Sequence, residues 1–268
     1  MAKQIQFTAK NVRAFTSWLK TFSLIDNSLL LEINTKDNEF IAKSYNEERS
    51  VVKFSKIKFD EGGFILKKAP KDSDRIKVGI YNIPNVIKVF EHFGEEEFSV
   101  IFKYEEVIND SDKEYAGTSI LLKNDNLKVG IECTSLNIFK YITDTQFHTK
   151  IASVDSLVKF NLEKDNINKI NSLCNLNKEH KFMQFLAKDN KIFAKSKSFE
   201  LLLSVGAKDE ASIDILKDQF IKLDIENYTV NFGEDRLVFI SDESNTVTVI
   251  SKVEQDERYE ETPSEDII

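Results

Sequence analysis

Cysteine is scarce in this chain. Cys133 and Cys174 stand alone, too few for a disulfide framework and without the paired spacing of a zinc site. Histidine is nearly as rare: His92, His148 and His180 are scattered, none in an i, i+4 pair, and each reads as a surface residue rather than a ligand. Eight glycines and three prolines in 268 residues exclude a loop-rich or disordered chain. They supply neither a phosphate-cradling glycine loop nor a nucleophile elbow. No hydrophobic run reaches membrane-span length, and the N-terminus lacks the pattern of a signal peptide. Asp110 and Asp112 form a carboxylate pair, but in a Lys- and Glu-containing stretch without further ligands, which reads as a solvated turn. These absences lead to an expectation of a cytoplasmic protein that is not an enzyme, with no metal, no cofactor and no membrane partner.

What is present is core-forming material and a repeat. Hydrophobic residues make up 41% of the chain, and 21 of them are phenylalanine. The net charge of −8 is concentrated at one end: residues 254–268 hold seven acids and one base, leaving the remainder close to neutral. Basic surfaces inside an acidic protein are therefore allowed. Ile5 to Ser44 and Val158 to Ser196 share the order strand, helix, paired strands. Phe7 falls at Phe160 and Thr8 at Asn161, each a candidate N-cap. Asp37-Asn38 falls at the turn Asp189-Asn190, and Ala42-Lys43-Ser44 at Ala194-Lys195-Ser196. A second pair, Ile80 to Phe102 and Ile213 to Phe232, runs strand, short helix, strand. The chain reads as two similar halves of an α+β fold.

Periodicity places four helices: about Lys10 to Phe22, Pro84 to before Gly94, a third capped by Asn161 and running through Cys174, and about Leu216 to Leu223. In the first, Val12, Phe15, Leu19 and Phe22 share a stripe with Trp18 at its edge. In the second, Val86, Val89, Phe90 and Phe93 do so, and in the third Ile167, Ile170, Leu173 and Cys174. Each helix carries basic residues elsewhere: Lys10, Arg13 and Lys20, then Lys88, then Lys164 and Lys169, then Lys217 and Lys222. One such lysine ordinarily means a solvated face. Four related helices on one face of a duplicated sheet would form a shared basic surface. The charged stretch Lys67 to Lys77 reads as a surface loop, and Ile108 to Gly117 as a long hairpin loop. Leu136 to Leu157, with Phe139, Tyr141, Ile142 and Phe147 among small polar residues, reads as a connector between the halves. The expected division is residues 1–137, a connector 138–156, residues 157–253 and an acidic tail 254–268.

Three strings carry a family resemblance: IYNIPNVIKVF with DNLKVGIECTSLNIF, VKFNLEKDNINKINSLCNL with KDNKIFAKS, and IENYTVNFGEDRLVFISDESNTVTVISKV. They resemble the DNA polymerase sliding clamps of the trimeric T-even bacteriophage type, over most of the chain up to about Val253. The acidic tail and the two charged stretches depart from the family pattern. The resemblance implies the DNA clamp fold: two similar domains, each with two helices packed on antiparallel sheets, assembling into a ring. It implies a homotrimer that encloses double-stranded DNA without reading sequence, and tethers a DNA polymerase after placement by an ATP-dependent clamp loader. Late-transcription factors are a further class of client in that family, and an infected host cytoplasm is the implied setting. Lys10, Arg13, Lys20, Lys88, Lys164, Lys169, Lys217 and Lys222 would line the bore. Phe139, Tyr141, Ile142 and Phe147 would border a pocket for client peptides. Two competing expectations are a duplicated α+β adaptor that binds only protein, and a nuclease using scattered acids.

Overall fold

The computed structural model describes residues 3–109, 112–139, 142, 154–176 and 179–253. The first half runs β1 (Lys3–Ala9), α1 (Arg13–Phe22), β2 (Ser28–Asn34), β3 (Glu39–Tyr45), β4 (Val51–Lys58), β5 (Phe64–Lys68), β6 (Arg75–Tyr81), α2 (Ile83–Glu91), β7 (Phe98–Asn109), β8 (Asp112–Lys123) and β9 (Lys128–Glu132). A 3-10 turn, Leu136–Phe139, follows. The second half runs β10 (Val158–Leu162), α3 (Lys164–Leu176), β11 (Phe182–Lys188), β12 (Lys191–Ser196), β13 (Phe199–Val205), β14 (Ala211–Leu216), α4 (Lys217–Phe220), β15 (Tyr228–Phe232), β16 (Arg236–Ser241) and β17 (Thr246–Ser251).

Strand pairing repeats between the halves. β1 pairs β7, β7 pairs β8 and β8 pairs β9, as β10 pairs β15, β15 pairs β16 and β16 pairs β17. β2 lies between β3 and β6 with β4 beyond β3, as β11 lies between β12 and β14 with β13 beyond β12. Phe7 opposes Val100 and Phe160 opposes Val230, so the two sequence-matched phenylalanines occupy equivalent rungs. β5, paired to β1, has no counterpart in the second half among the described residues.

The halves join where β17 pairs β4 antiparallel, from Thr246 opposite Ser55 to Ile250 opposite Val51. This junction makes one 13-stranded sheet; β11 to β14 form a separate four-stranded one. Because side chains alternate along a strand, Val51, Lys53, Ser55 and Ile57 of β4 share a face. Val51 belongs to the core of the second half and Ile57 packs on that of the first. Both cores, and the helices that cover them, therefore lie on the same face of the continuous sheet. The opposite face carries a smaller cluster of Leu30, Val52, Phe139 and Ile142.

Aromatic side chains dominate the first core. The Phe40 ring contacts those of Phe7, Phe15, Phe59 and Phe64 at centroid separations of 5.6, 5.1, 4.7 and 5.0 Å. In the second core, Phe185 meets Phe160, Phe220 and Phe239 at 6.5, 5.8 and 6.3 Å among aliphatic neighbours.

Several local expectations are corrected. Thr8 and Asn161 lie inside β1 and β10, opposite Ser99 and Thr229, and cap nothing. Strand hydrogen bonding claims both positions, and the helices begin later. The Val12 carbonyl accepts from Thr16 N–H at 2.9 Å to open α1. The Glu163 carbonyl accepts from Asn166 N–H at 2.9 Å, while Lys164 N–H donates to Asn227 Oδ1 at 3.0 Å. Lys10 thus precedes α1, and α4 spans only Lys217–Phe220. The stretch read as a long hairpin loop is mostly strand: β7 and β8 stay paired out to Asn109 opposite Asp112. Its charges misled because they pair across strands, Lys113 with Glu106 at 3.0 Å and Lys77 with Glu114 at 2.5 Å. Lys67 and Lys68 end β5, and Arg75 to Lys77 begin β6, so the loop between them is shorter than expected. Asp189 and Asn190 do turn the β11–β12 hairpin, with φ of 51° and 63°, the two-residue left-handed turn that matches strand twist.

Candidate functional site

The helical face is assembled from the amphipathicity of its helices. Phe15, Leu19 and Phe22 turn α1 onto the core, and Val86, Ile87 and Phe90 do the same for α2. The two helices touch through Phe15 and Phe90, whose centroids lie 5.4 Å apart. Asn82, at φ 61°, opens α2 by accepting from Asn85 N–H at 3.2 Å. Arg13, Lys20 and Lys88 are thereby left exposed, as is Lys10 in the turn before α1. Ile167, Ile170 and Cys174 bury one side of α3 and leave Lys164 and Lys169 exposed. The Arg13 guanidinium meets Glu95 at 2.6 Å in an ion pair open to solvent. Lys10, Lys20, Lys88, Lys164, Lys169 and Lys222 make no ion pair among the described residues.

The fourth helix departs from the expected pattern. Lys217 is buried, at 4% exposure, and its N–H donates to the Lys181 carbonyl at 2.8 Å. β14 runs directly into a four-residue helix, too short to present a separate outer face, so its first residue is held inside. Lys217 lies in a cleft with Cys174, His180 and Lys181 rather than on the exposed basic surface. Lys222 is half-buried.

On the opposite face lies a cavity of about 220 Å³ lined by Asp26, Ser28, Tyr45, Glu47, Ile138 and Phe139. Its wall is fixed from both sides. The Tyr45 hydroxyl donates to the Ile138 carbonyl at 2.6 Å, and Asp26 Oδ1 accepts from Ser28 N–H at 2.7 Å. Entry of the chain to this wall depends on Gly79. Thr134 bridges to it, with Thr134 N–H donating to the Gly79 carbonyl at 2.9 Å. A Cβ there would lie 2.4 Å from the Thr134 oxygen and 3.0 Å from the Phe139 ring. Of the four connector residues singled out from the sequence, Phe139 lines this cavity. Ile142 does not: it is fully buried against the sheet and serves as an anchor. Tyr141 and Phe147 lie outside the described residues. Tyr45 and Asp26 carry no sequence signal for the site, because only the packing of the connector on β2 and β3 brings them together.

The junction of the halves is polar and closed. The Lys53 side chain, 1% exposed, reaches the Asp224 carboxylate and donates to the Thr21 carbonyl at 3.4 Å. Burial pushes the Lys53 ammonium below the usual lysine range, and Asp224 opposes that shift. Beside it, Ser55 Oγ accepts from Trp18 Nε1 at 2.9 Å and from Thr246 Oγ1 at 3.0 Å.

The fold recurs in solved structures. Proliferating cellular nuclear antigen from Entamoeba histolytica superposes with a TM-score of 0.62 at 12% identity, over 96% of this chain and 100% of that one. The chain has the DNA clamp fold. The same antigen from A. fulgidus, bound to the C-terminal region of FEN-1, matches with a TM-score of 0.59 at 10% identity, covering 94% of this chain and all of that one. A Helicobacter pylori beta clamp bound to a DNA ligase peptide gives 0.64 at 10% identity over 95% of this chain and 67% of the other. No family model and no curated protein sequence matches the chain. No helix among the described residues is long and apolar enough to cross a membrane.

Proposed function

We propose that the protein is a non-enzymatic sliding clamp of the T-even phage type, a homotrimer that encloses duplex DNA and tethers a DNA polymerase to it. One observation carries the ring. β9 and β13 are the counterparts of β17 and β4, the pair that joins the halves within the chain. Among the described residues, each is hydrogen-bonded on one side only, β9 to β8 and β13 to β12. Two unpaired edges of that kind seek partners. Head-to-tail pairing of β9 with β13 of the next copy repeats the internal junction and closes when the rotation permits. Residues 1–137 and 157–253 then serve as clamp domains, 138–156 as connector and 254–268 as acidic tail.

The helical face would line the bore. Lys10, Arg13, Lys20, Lys88, Lys164, Lys169 and Lys222 would meet phosphates without reading bases, giving weak, salt-sensitive attraction that permits sliding. Enclosure keeps the ring on DNA, and an ATP-driven loader opens it. The cavity beside Phe139 would receive a client peptide, in keeping with the FEN-1 and DNA ligase peptides named for the two bound structures.

Light scattering on the eluting protein tests the ring: the expected mass is three times 30.9 kDa. Loaded onto nicked circular DNA, the protein should resist high salt and run off when the circle is cut. A monomer at all concentrations, or salt release indifferent to DNA topology, overturns the proposal.

A further inference from the structure

The register of each half can be followed rung by rung from the repeat residues. Phe7 opposes Val100, Val100 opposes Leu122 and Leu122 opposes Val129. In the second half Phe160 opposes Val230, Val230 opposes Phe239 and Phe239 opposes Thr248. Val129 is therefore the counterpart of Thr248, and Leu127 that of Thr246. On the other strand, Ser44 opposes Lys53 and Ala42 opposes Ser55, while Ser196 opposes Phe199 and Ala194 opposes Leu201. Phe199 and Leu201 are thus the counterparts of Lys53 and Ser55.

The two sets differ in chemistry. At the internal junction Thr248 faces Lys53 and Thr246 faces Ser55. All four are buried at 3% exposure or less; Lys53 meets Asp224, and Ser55 accepts from Trp18 and Thr246. The free edges offer Leu127 and Val129 on one side and Phe199 and Leu201 on the other, with no side-chain polar atom among them.

We infer that the chain sorts its two kinds of sheet junction by chemistry: a buried Lys53–Asp224 pair reserves β4 for β17, and an apolar line of Val129 on Phe199 and Leu127 on Leu201 commits β9 to β13 of a second copy. This rests on the ring reading and adds its register and its safeguard against wrong pairing. Placing β9 on β4 sets Val129 against Lys53 without Asp224, a buried ammonium lacking its counter-ion. Placing β17 on β13 sets Thr248 against Phe199 and takes Lys53 away from Asp224. Both exchanges are penalised by an unpaired buried polar group, which is how specificity against a near-identical edge is obtained.

Register is tested by cysteine pairs in the full chain under mild oxidation. V129C/F199C places two Cα atoms directly opposite, within reach of a disulfide, whereas I131C/F199C displaces them by two residues and beyond it. The first should give covalently linked multimers on a non-reducing gel and the second should not; equal linking, or linking only in the second, overturns the register. Sorting is tested by K53F/S55L, which rewrites β4 as β13. Wild-type protein should elute at one size, and this variant as a spread of sizes. K53M serves if the double variant fails to melt cooperatively, and should broaden the profile in the same direction. A variant that melts cooperatively and keeps the single wild-type size overturns the sorting while leaving the ring intact. A monomeric wild type overturns both.

Discussion

The two halves share a pairing diagram and almost nothing of its filling. The first half closes its core with rings: Phe7, Phe15, Phe40, Phe59, Phe64, Phe90 and Phe102 form one connected set. The second uses Ile167, Ile170, Ile192, Ile213 and Ile215 around Phe185. The first keeps a nine-residue α2 and the extra strand β5, whereas the second has a four-residue α4 and, among the described residues, no counterpart of that strand. Hydrogen-bond topology has thus outlasted side-chain identity. A ladder constrains only backbone geometry and the alternation of apolar residues, and many fillings satisfy it.

The largest expected effect tests the ring-dominated core. Phe40→Ala opens a cavity among four rings and should cost about 3–5 kcal/mol in urea denaturation. Phe193→Ala, at a half-buried position on β12, should cost much less. Equal losses would show that the cluster adds nothing beyond ordinary burial. Next comes the junction between the halves. Asp224→Ala strands a buried Lys53 ammonium and should cost about 3 kcal/mol, whereas K53M leaves a carboxylate that is 21% exposed and should cost less. The reverse order would mean that Asp224, not Lys53, carries the desolvation.

Smaller effects separate the two faces. Charge reversal at Lys20, Lys88 and Lys169 should leave the melting temperature within a few degrees but sharply reduce retention on circular DNA, with a shallower salt dependence. Unchanged retention would remove these residues from the bore. Cys133 provides a pH probe in the first half. Burial, with a smaller contribution from Glu132, pushes its thiol up to about 12. The folded state then holds a proton that the unfolded chain loses near pH 9. The resulting stabilisation is full below pH 9 and lost as pH rises toward 12. Cys133→Ala should flatten that part of the alkaline stability curve, and an unaltered slope would refute it. Arg13→Ala removes only a solvent-exposed ion pair and should change stability by less than about 0.5 kcal/mol.

Much of the architecture was legible beforehand. The stripes of α1, α2 and α3 picked out the buried Phe15, Leu19, Phe22, Val86, Phe90, Ile167, Ile170 and Cys174, but they missed Ile87 and took in Val89 and Leu173, which are half-buried. Misreadings occurred where composition and pairing disagree. The stretch Ile108 to Gly117 resembles a loop because it is polar and charged, yet β7 and β8 stay paired through most of it. β13, the strand on which the ring proposal depends, was not anticipated: the consecutive Leu201, Leu202 and Leu203 break the alternation that marks a strand. For the sites, exposure of Lys20, Lys88 and Lys169 followed from helical period. Burial of Lys217 did not, because it reflects where a short helix meets α3. Ile142 and Phe139 look alike in a segment without periodicity; both pack with Leu30 and Val52, and only the tertiary structure shows that Phe139 also borders the cavity.

Local periodicity and internal repetition, both carried by the order of residues, were enough to establish two copies of a strand–helix–strand module, with basic residues outside the apolar stripes of α1, α2 and α3. Contacts between residues far apart in the chain decided the rest: that β4 meets β17, that both cores cover one face, and that Asp26, Tyr45 and Phe139 surround one cavity. Such contacts depend on the free energy of closing long loops and satisfying buried polar groups together, which no short stretch of sequence encodes alone.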